Sequence, residues 1–246
     1  MSKTGSVITH SALWSRLGLA HHNWPGRYTV LLATILLLLV TQPIFSGHAL
    51  AQNVATGALS LVLLAALYAG RTMRAYFIVA SILLIPALGF RVAILVSSNS
   101  RFEMLEAIAS CLFLSVTVFA LVSQLFILRS VTLDMISAAI CAYLLMGIAF
   151  AYAFAVVELQ NPASFSTRLF QNPSGGMAPF MASLHNFIYY SFVCLTTTGF
   201  GDITPISGGA RSLSMMEAVF GQLFVAILIA RLVSLEVAQS MIKERE

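Results

Sequence analysis

The chain has 246 residues, of which 59% are apolar and only 9% are Asp, Glu, Lys or Arg. Soluble domains carry roughly a quarter charged residues, so a water-soluble fold is excluded, and the mean hydropathy of +0.91 points to an integral membrane protein with several spans. The net charge of +4 says little about partners; where the basic residues sit matters more.

Residues 1–27 precede any long apolar run. Within them, residues 6–20 scatter Ile8, Leu13, Trp14, Leu17 and Leu19 among polar positions. That pattern fits either an amphipathic helix on the inner membrane surface or a disordered tail. Apolar runs approaching or exceeding the roughly 20 residues of a spanning helix follow. They lie at residues 28–45, 53–69, 75–96, 104–128, 131–157 and 212–237. A further apolar piece at 179–195 is too short, and too polar at its end, to cross. The stretch "SGHALAQN" after the first run resembles a signal-peptide cleavage site, with Ala49 and Ala51 as its small residues. About 27 residues precede the run, which is long for the segment ahead of a signal sequence, so the run is expected to remain as a span.

The expected fold class is an all-α membrane protein with six transmembrane helices and one re-entrant helix with its loop. Lys and Arg concentrate in cytoplasmic loops. With the N-terminus inside, Lys3, Arg16, Arg27, Arg71, Arg74, Arg129, Arg231, Lys243 and Arg245 fall on the cytoplasmic side, and Arg101, Arg168 and Arg211 outside. Both termini are therefore expected in the cytoplasm of a multi-pass cell-membrane protein. Arg91 falls near the outer end of the third span, where snorkelling to the interface is the expectation and a pairing with Glu103 or Glu106 the alternative.

No enzyme constellation emerges. Cys111, Cys141 and Cys194 lie in apolar runs without metal-ligand spacing and read as small buried residues. His10, His21, His22, His48 and His185 do not fall into metal-binding spacing on one helix, and His185 reads as a packed side chain. There is no nucleic-acid motif, and no cofactor is expected.

The chemistry concentrates in "TTTGFGD", residues 196–202. It follows the short apolar piece and precedes the last span. Irregular backbone at membrane depth is tolerated only where protein buries it or it lines a wet cavity. An ion that sheds water needs replacement oxygens. Consecutive carbonyls can supply them if the backbone takes unusual angles, which Gly199 and Gly201 adopt without steric cost. The Thr197 hydroxyl adds one more oxygen. One chain provides one column of oxygens, so a ring calls for a symmetric homo-oligomer. A phosphate-binding loop would continue Gly-Lys-Ser/Thr, and Asp202-Ile203-Thr204 does not.

"TTTGFGD" resembles the selectivity filter of the potassium channel family, whose core pattern is T-V-G-Y-G. The resemblance covers about residues 131–237, under half of the chain. It implies a homotetramer in which the carbonyls of Thr197, Thr198, Gly199 and Phe200, with Gly201 completing the motif and the Thr197 hydroxyl below, coordinate K⁺ as the permeant ligand. Asp202 would stand just outside the mouth. Thr198 replaces the usual Val or Ile and Phe200 the usual Tyr. Neither alters a carbonyl, but Phe200 lacks the hydroxyl that ties the loop to its supporting helix.

The resemblance also casts "FIYYSFVCLT" (187–196) as the pore helix. Its C-terminus at Leu195 and Thr196 would turn the negative end of the helix dipole towards a cation. Tyr189 and Tyr190 would be the aromatic pair around the filter, with the Tyr189 hydroxyl bonding Asp202. Val193 stands where some relatives carry a Glu. Gly221, about 20 residues past Gly201, matches the hinge glycine, with close helix packing as the alternative. Glu217, at a depth where an acid must be paired, bonded or protonated, is expected behind the filter near pore-helix hydroxyls. Gln222 faces either the cavity or a neighbour. "LFVAILIA" (223–230) would form a hydrophobic inner gate.

The organisation expected is a cytoplasmic segment (1–27), a four-helix membrane domain (28–129) and a pore domain (130–246). The fourth span carries no basic residue between Arg101 and Arg129. A working charged voltage sensor is therefore not expected, and the four-helix domain would be a degenerate sensor that buttresses the pore. The alternatives are a weakly selective cation channel, suggested by Thr198 and Phe200, or a non-conducting membrane scaffold with a pore-like fold.

Overall fold

The computed structural model describes residues 27–44, 49–70, 74–96, 100–127, 132–166 and 180–243. The amphipathic segment expected at 6–20 and residues 167–179 of the expected outer loop lie outside them. The described residues form seven helices: α1 (Arg27–Ile44), α2 (Ala49–Ala69), α3 (Arg74–Val96), α4 (Ser100–Ile127), α5 (Leu133–Gln160), α6 (Phe180–Leu195) and α7 (Gly208–Lys243). Two short strands, β1 (Phe165–Ser166) and β2 (Thr204–Pro205), pair antiparallel, with Phe165 opposite Pro205. The sequence reading did not foresee this pair, since two residues leave no periodic trace.

Among the described residues, four stretches are long and apolar enough to cross a membrane: Tyr76–Ile94, Arg101–Ile127, Leu133–Gln160 and Gly208–Val237. The apolar stretches described in α1 and α2, Tyr28–Val40 and Gly57–Ala69, are shorter.

The helices pack in a chain of neighbours. α1 lies on α2 and α5, α3 on α4, α4 on α5, and α6 on α5 and α7. Apolar side chains facing one another, among them Leu31, Leu63, Phe113, Leu145 and Phe154, form a continuous core from α1 to α6. With lipid on the outside, such packing gains mostly dispersion and interhelical hydrogen bonds. The Tyr28 hydroxyl donates to Gln124 Oε1, joining α1 to α4. The Tyr76 hydroxyl lies 3.1 Å from Thr117 Oγ1, joining α3 to α4.

Arg91 corrects the expectation of snorkelling. It is 2% exposed, with Nε 3.1 Å from Glu106 Oε1 and Nη2 donating to the same oxygen. Nη1 reaches Ser60 Oγ at 3.2 Å and Nη2 the Tyr152 hydroxyl at 2.5 Å. Ser110 Oγ adds a bond to Glu106 Oε1 at 3.1 Å. Four helices, α2 to α5, thus meet at one ion pair. A charge this deep is tolerated only when paired, and Glu106 lies within reach along the bundle interior.

α5 starts on an N-cap. Thr132 Oγ1 accepts from the Met135 N–H at 3.2 Å, and Asp134 occupies the first turn. An acid there meets the positive end of the helix dipole, which accounts for Asp134 as a helix-start residue. At the other end Glu158 accepts from the Ala163 and Phe165 N–H groups at 2.9 and 3.2 Å. That turn contains Ala163 at φ 67°. Glu158 so shapes the chain into β1, and β1 holds β2, the segment just beyond residues 196–202. Phe154, Phe165, Phe187 and Tyr190 stack edge-to-face around this corner with centroids 5.0–5.6 Å apart.

Candidate functional site

α6 is a half-length helix wedged between α5 and α7. Residues 196–202 leave its C-terminus without forming strand or helix. The N–H of Thr196 donates to Phe192 O at 3.0 Å and that of Thr197 to Cys194 O at 2.9 Å. The N–H groups of Thr198 and Gly199 both reach Val193 O, at 2.9 and 3.4 Å. The donors of the loop are turned back onto the orphan carbonyls that end any helix.

The carbonyls behave differently. Positive φ recurs at every second residue: Thr197 (56°), Gly199 (61°) and Gly201 (78°). Alternating left- and right-handed backbone angles bring successive N–H groups to one side and leave the carbonyls on the other. Among the described residues no donor meets the carbonyls of Thr197, Thr198, Gly199 or Phe200. All seven residues of the loop are exposed. For glycine these angles carry no steric cost; Thr197 pays about 1–2 kcal/mol for its own.

Side chains brace the loop from α6. Thr196 Oγ1 donates to Phe192 O at 2.7 Å and lies 2.8 Å from Thr198 Oγ1. Thr197 Oγ1 donates to Thr196 O at 2.7 Å and accepts from Gln222 Nε2 at 3.4 Å. Gln222 is therefore turned to the inner end of the loop. The Tyr189 and Phe200 rings stack, with centroids 6.4 Å apart and planes 1° from parallel. The Asp202 carboxylate, through a hydrogen bond, holds the Tyr189 phenol above its ordinary pKa. Asp202 Oδ1 also accepts from the Ile203 N–H at 3.0 Å. Tyr190 points the other way, into the core, its hydroxyl 2.7 Å from Ser214 Oγ on α7. His185 is half-buried on α6, and burial lowers its pKa, favouring the neutral ring.

Two residues of α7 meet α6 from behind. Glu217 is fully buried and bonds the Ser191 hydroxyl. Gly221 lies against the end of α6: a Cβ there would stand 2.3 Å from the Leu195 backbone oxygen. α7 runs unbroken through this point, so the glycine serves close approach whether or not the helix bends. Lower on α7, Arg231 Nε donates to Leu125 O at 2.9 Å and Nη2 to Phe126 O at 2.7 Å, both on α4.

The structure thus draws Thr196 to Asp202, Tyr189, Glu217 and Gly221 around one loop and sends Tyr190 to its outer support. The sequence reading missed Ser191, Ser214, Glu158 and the bonding of Arg231. Ser191 had a signal, since one small hydroxyl residue stands in "YYSF" among bulky aromatic ones; the others did not.

Residues 138–237 match a family model described as an ion channel. The stretch takes in most of α5, all of α6, the loop, and α7 as far as Val237. Over 91 residues the chain is 29% identical to Protein LctB of Bacillus caldotenax, a match that covers 37% of this chain and 64% of that protein. The C-terminal module is therefore similar to an ion-channel domain. That similarity, with the long apolar helices, supports a membrane protein.

Proposed function

We propose that this protein is a K⁺-selective channel, a homotetramer whose four copies of Thr197-Thr198-Gly199-Phe200-Gly201 line a central ion path. The observation that carries the reading is the alternation of positive φ at Thr197, Gly199 and Gly201, which leaves a file of carbonyls unpartnered on an exposed edge. Four such files replace the water shell of a cation with oxygens, and ions advance by mutual repulsion between adjacent sites. Thr197 Oγ1 adds an oxygen at the inner end. Asp202 and Tyr189 brace the outer mouth, and Thr196, Tyr190 and Glu217 hold the loop to α6 and α7. Gly221 is the point at which α7 bends in gating, and residues 223–230 close the pore below it.

The uncovered state of α7 supports assembly. Its apolar stretch is 6% buried, against 56% for that of α5. In a tetramer this face meets the neighbouring copies and the cavity. In the same reading α1 and α2 also cross, giving six spans with both termini in the cytoplasm of the cell membrane. α4 lacks basic residues between Arg101 and Arg129, so the first four helices support the pore without sensing voltage.

The test is a reversal potential. The full chain is reconstituted in a planar bilayer between K⁺ and Na⁺ solutions. Reversal near the K⁺ limit, with current lost in Gly199→Ala, supports the proposal. Reversal near zero replaces it with a weakly selective cation channel. Absence of flux for any monovalent cation across lipid compositions and pH favours the scaffold.

A further inference from the structure

We infer that Glu217 is held as a carboxylic acid and donates its proton to Ser191, so that one relay, Glu217 to Ser191 to the Gly147 carbonyl, ties α7, α6 and α5 together behind the loop. The inference deepens the role given above to Glu217, and its structural part stands whether or not the loop conducts.

The argument is a count of protons. Ser191 Oγ carries one hydrogen. It lies 2.6 Å from the Gly147 carbonyl oxygen and also in close contact with Glu217 Oε1. A carbonyl has no proton to give, so the Ser191 hydrogen must point at Gly147 if that contact is a bond. The contact to Glu217 then needs a second hydrogen, and only Glu217 can supply it. With Glu217 as a carboxylate, one of the two short contacts would be lone pair against lone pair.

The surroundings agree. Glu217 is 0% exposed, and among the described residues its Oε2 has no partner. Among the described residues the titratable groups facing it are Tyr143 on α5 and Tyr190 and Cys194 on α6. None is a cation. The buried acid of the membrane domain provides the contrast: Glu106 has Arg91 against it. A charge without a counter-ion or solvent is far costlier to bury than a neutral acid.

A second relay runs beside the first. Ser214 Oγ donates to Ala210 O at 2.8 Å, so Tyr190 must be the donor to Ser214 in the 2.7 Å contact between them. Both relays fasten α6 to α7, and Glu217 differs in reaching α5 as well. Glu217 is thus a positioning residue, since it acts on the loop only through Ser191 and α6.

Isotope-edited infrared spectroscopy tests this on the full chain in lipid nanodiscs, with ¹³C-labelled glutamate at neutral pH. The expected result is a protonated-acid C=O band that shifts on deuteration, disappears in Glu217→Gln and moves in Ser191→Ala, where the acid has lost its acceptor. A spectrum with only carboxylate bands overturns the relay. So does an acid band that survives in Glu217→Gln, or one unmoved in Ser191→Ala. Ion flux is recorded on the same preparation: if wild type carries none while the Glu217 band is present, the channel reading fails and the relay stands.

Discussion

Arg231 on α7 donates from Nε to the Leu125 carbonyl on α4, 2.9 Å away, and its guanidinium carbon stands 5.3 Å from the centroid of the Phe126 ring. With the bond to Phe126 O, the side chain caps the end of α4, where carbonyls lack helical partners. Arg231 directly follows the stretch, residues 223–230, that would form the inner end of the pore. α4 therefore holds that part of α7 through its own terminal carbonyls.

Arg231→Ala is expected to lower the stability of the reconstituted protein by about 1.5–3 kcal/mol, the usual loss for hydrogen bonds to a charged group. Arg231→Lys keeps the charge but not the planar fork and recovers only part of it. Thermal melts in lipid measure both. A gating role adds a change in flux per channel in Arg231→Ala at a temperature where the variant is folded; unchanged flux would confine Arg231 to stability.

Gly221→Ala separates two uses of one glycine. In an exposed helix interior the change gains about 1 kcal/mol from helix propensity. Here the new methyl would stand 2.3 Å from the Leu195 backbone oxygen, which cannot swing aside as a side-chain tip can. The expected result is a lower Tm together with reduced flux, because the displaced Leu195 carries the loop with it. A raised Tm with reduced flux would show that bending alone requires glycine here.

The difference between what the sequence revealed and what it hid follows the range of the interactions. The helices were legible because apolar length is a local property: the runs expected at 75–96 and 179–195 end on the observed helix ends, Val96 and Leu195. The loop was legible because Gly199 and Gly201 stand at alternate positions, and their use is a matter of backbone angle. Arg91 was misjudged because its neighbours on α2 and α5, Ser60 and Tyr152, lie 31 and 61 residues away. The contact of Glu217 with a pore-helix hydroxyl was expected from its depth, but the step from Ser191 to Gly147 was invisible, since that acceptor is backbone and carries no side-chain signature.

The buried ion pair yields an asymmetric prediction. Arg91→Met leaves the buried Glu106 without its partner and is expected to cost about 3–5 kcal/mol. Arg91→Met with Glu106→Leu removes both charges and should cost less than the single change, with Ser60, Ser110 and Tyr152 left to find new partners. Melting the two variants in the same lipid decides this. A double variant less stable than the single would mean that the polar network, and not the unpaired charge, sets the cost.

Tyr189 gives a prediction in pH. The Asp202 carboxylate, as a hydrogen-bond acceptor for it, raises the phenol's pKa. A group whose pKa is higher in the folded state contributes stability that is complete below its unfolded value, near 10 for tyrosine. The contribution is lost as pH rises through the folded value. The mouth of the loop should therefore behave identically at mildly acidic and neutral pH and loosen only in strong alkali. In flux measurements the wild type is expected to hold steady conduction up to about pH 9 and to lose it reversibly above about pH 10, where the phenolate would face Asp202. Tyr189→Phe lacks the hydroxyl at every pH, so its mouth should be loosened already at neutral pH and show no further alkaline step. An alkaline step of the same size in Tyr189→Phe would place the titrating group elsewhere and leave the stacking of Tyr189 on Phe200 as its contribution to the mouth.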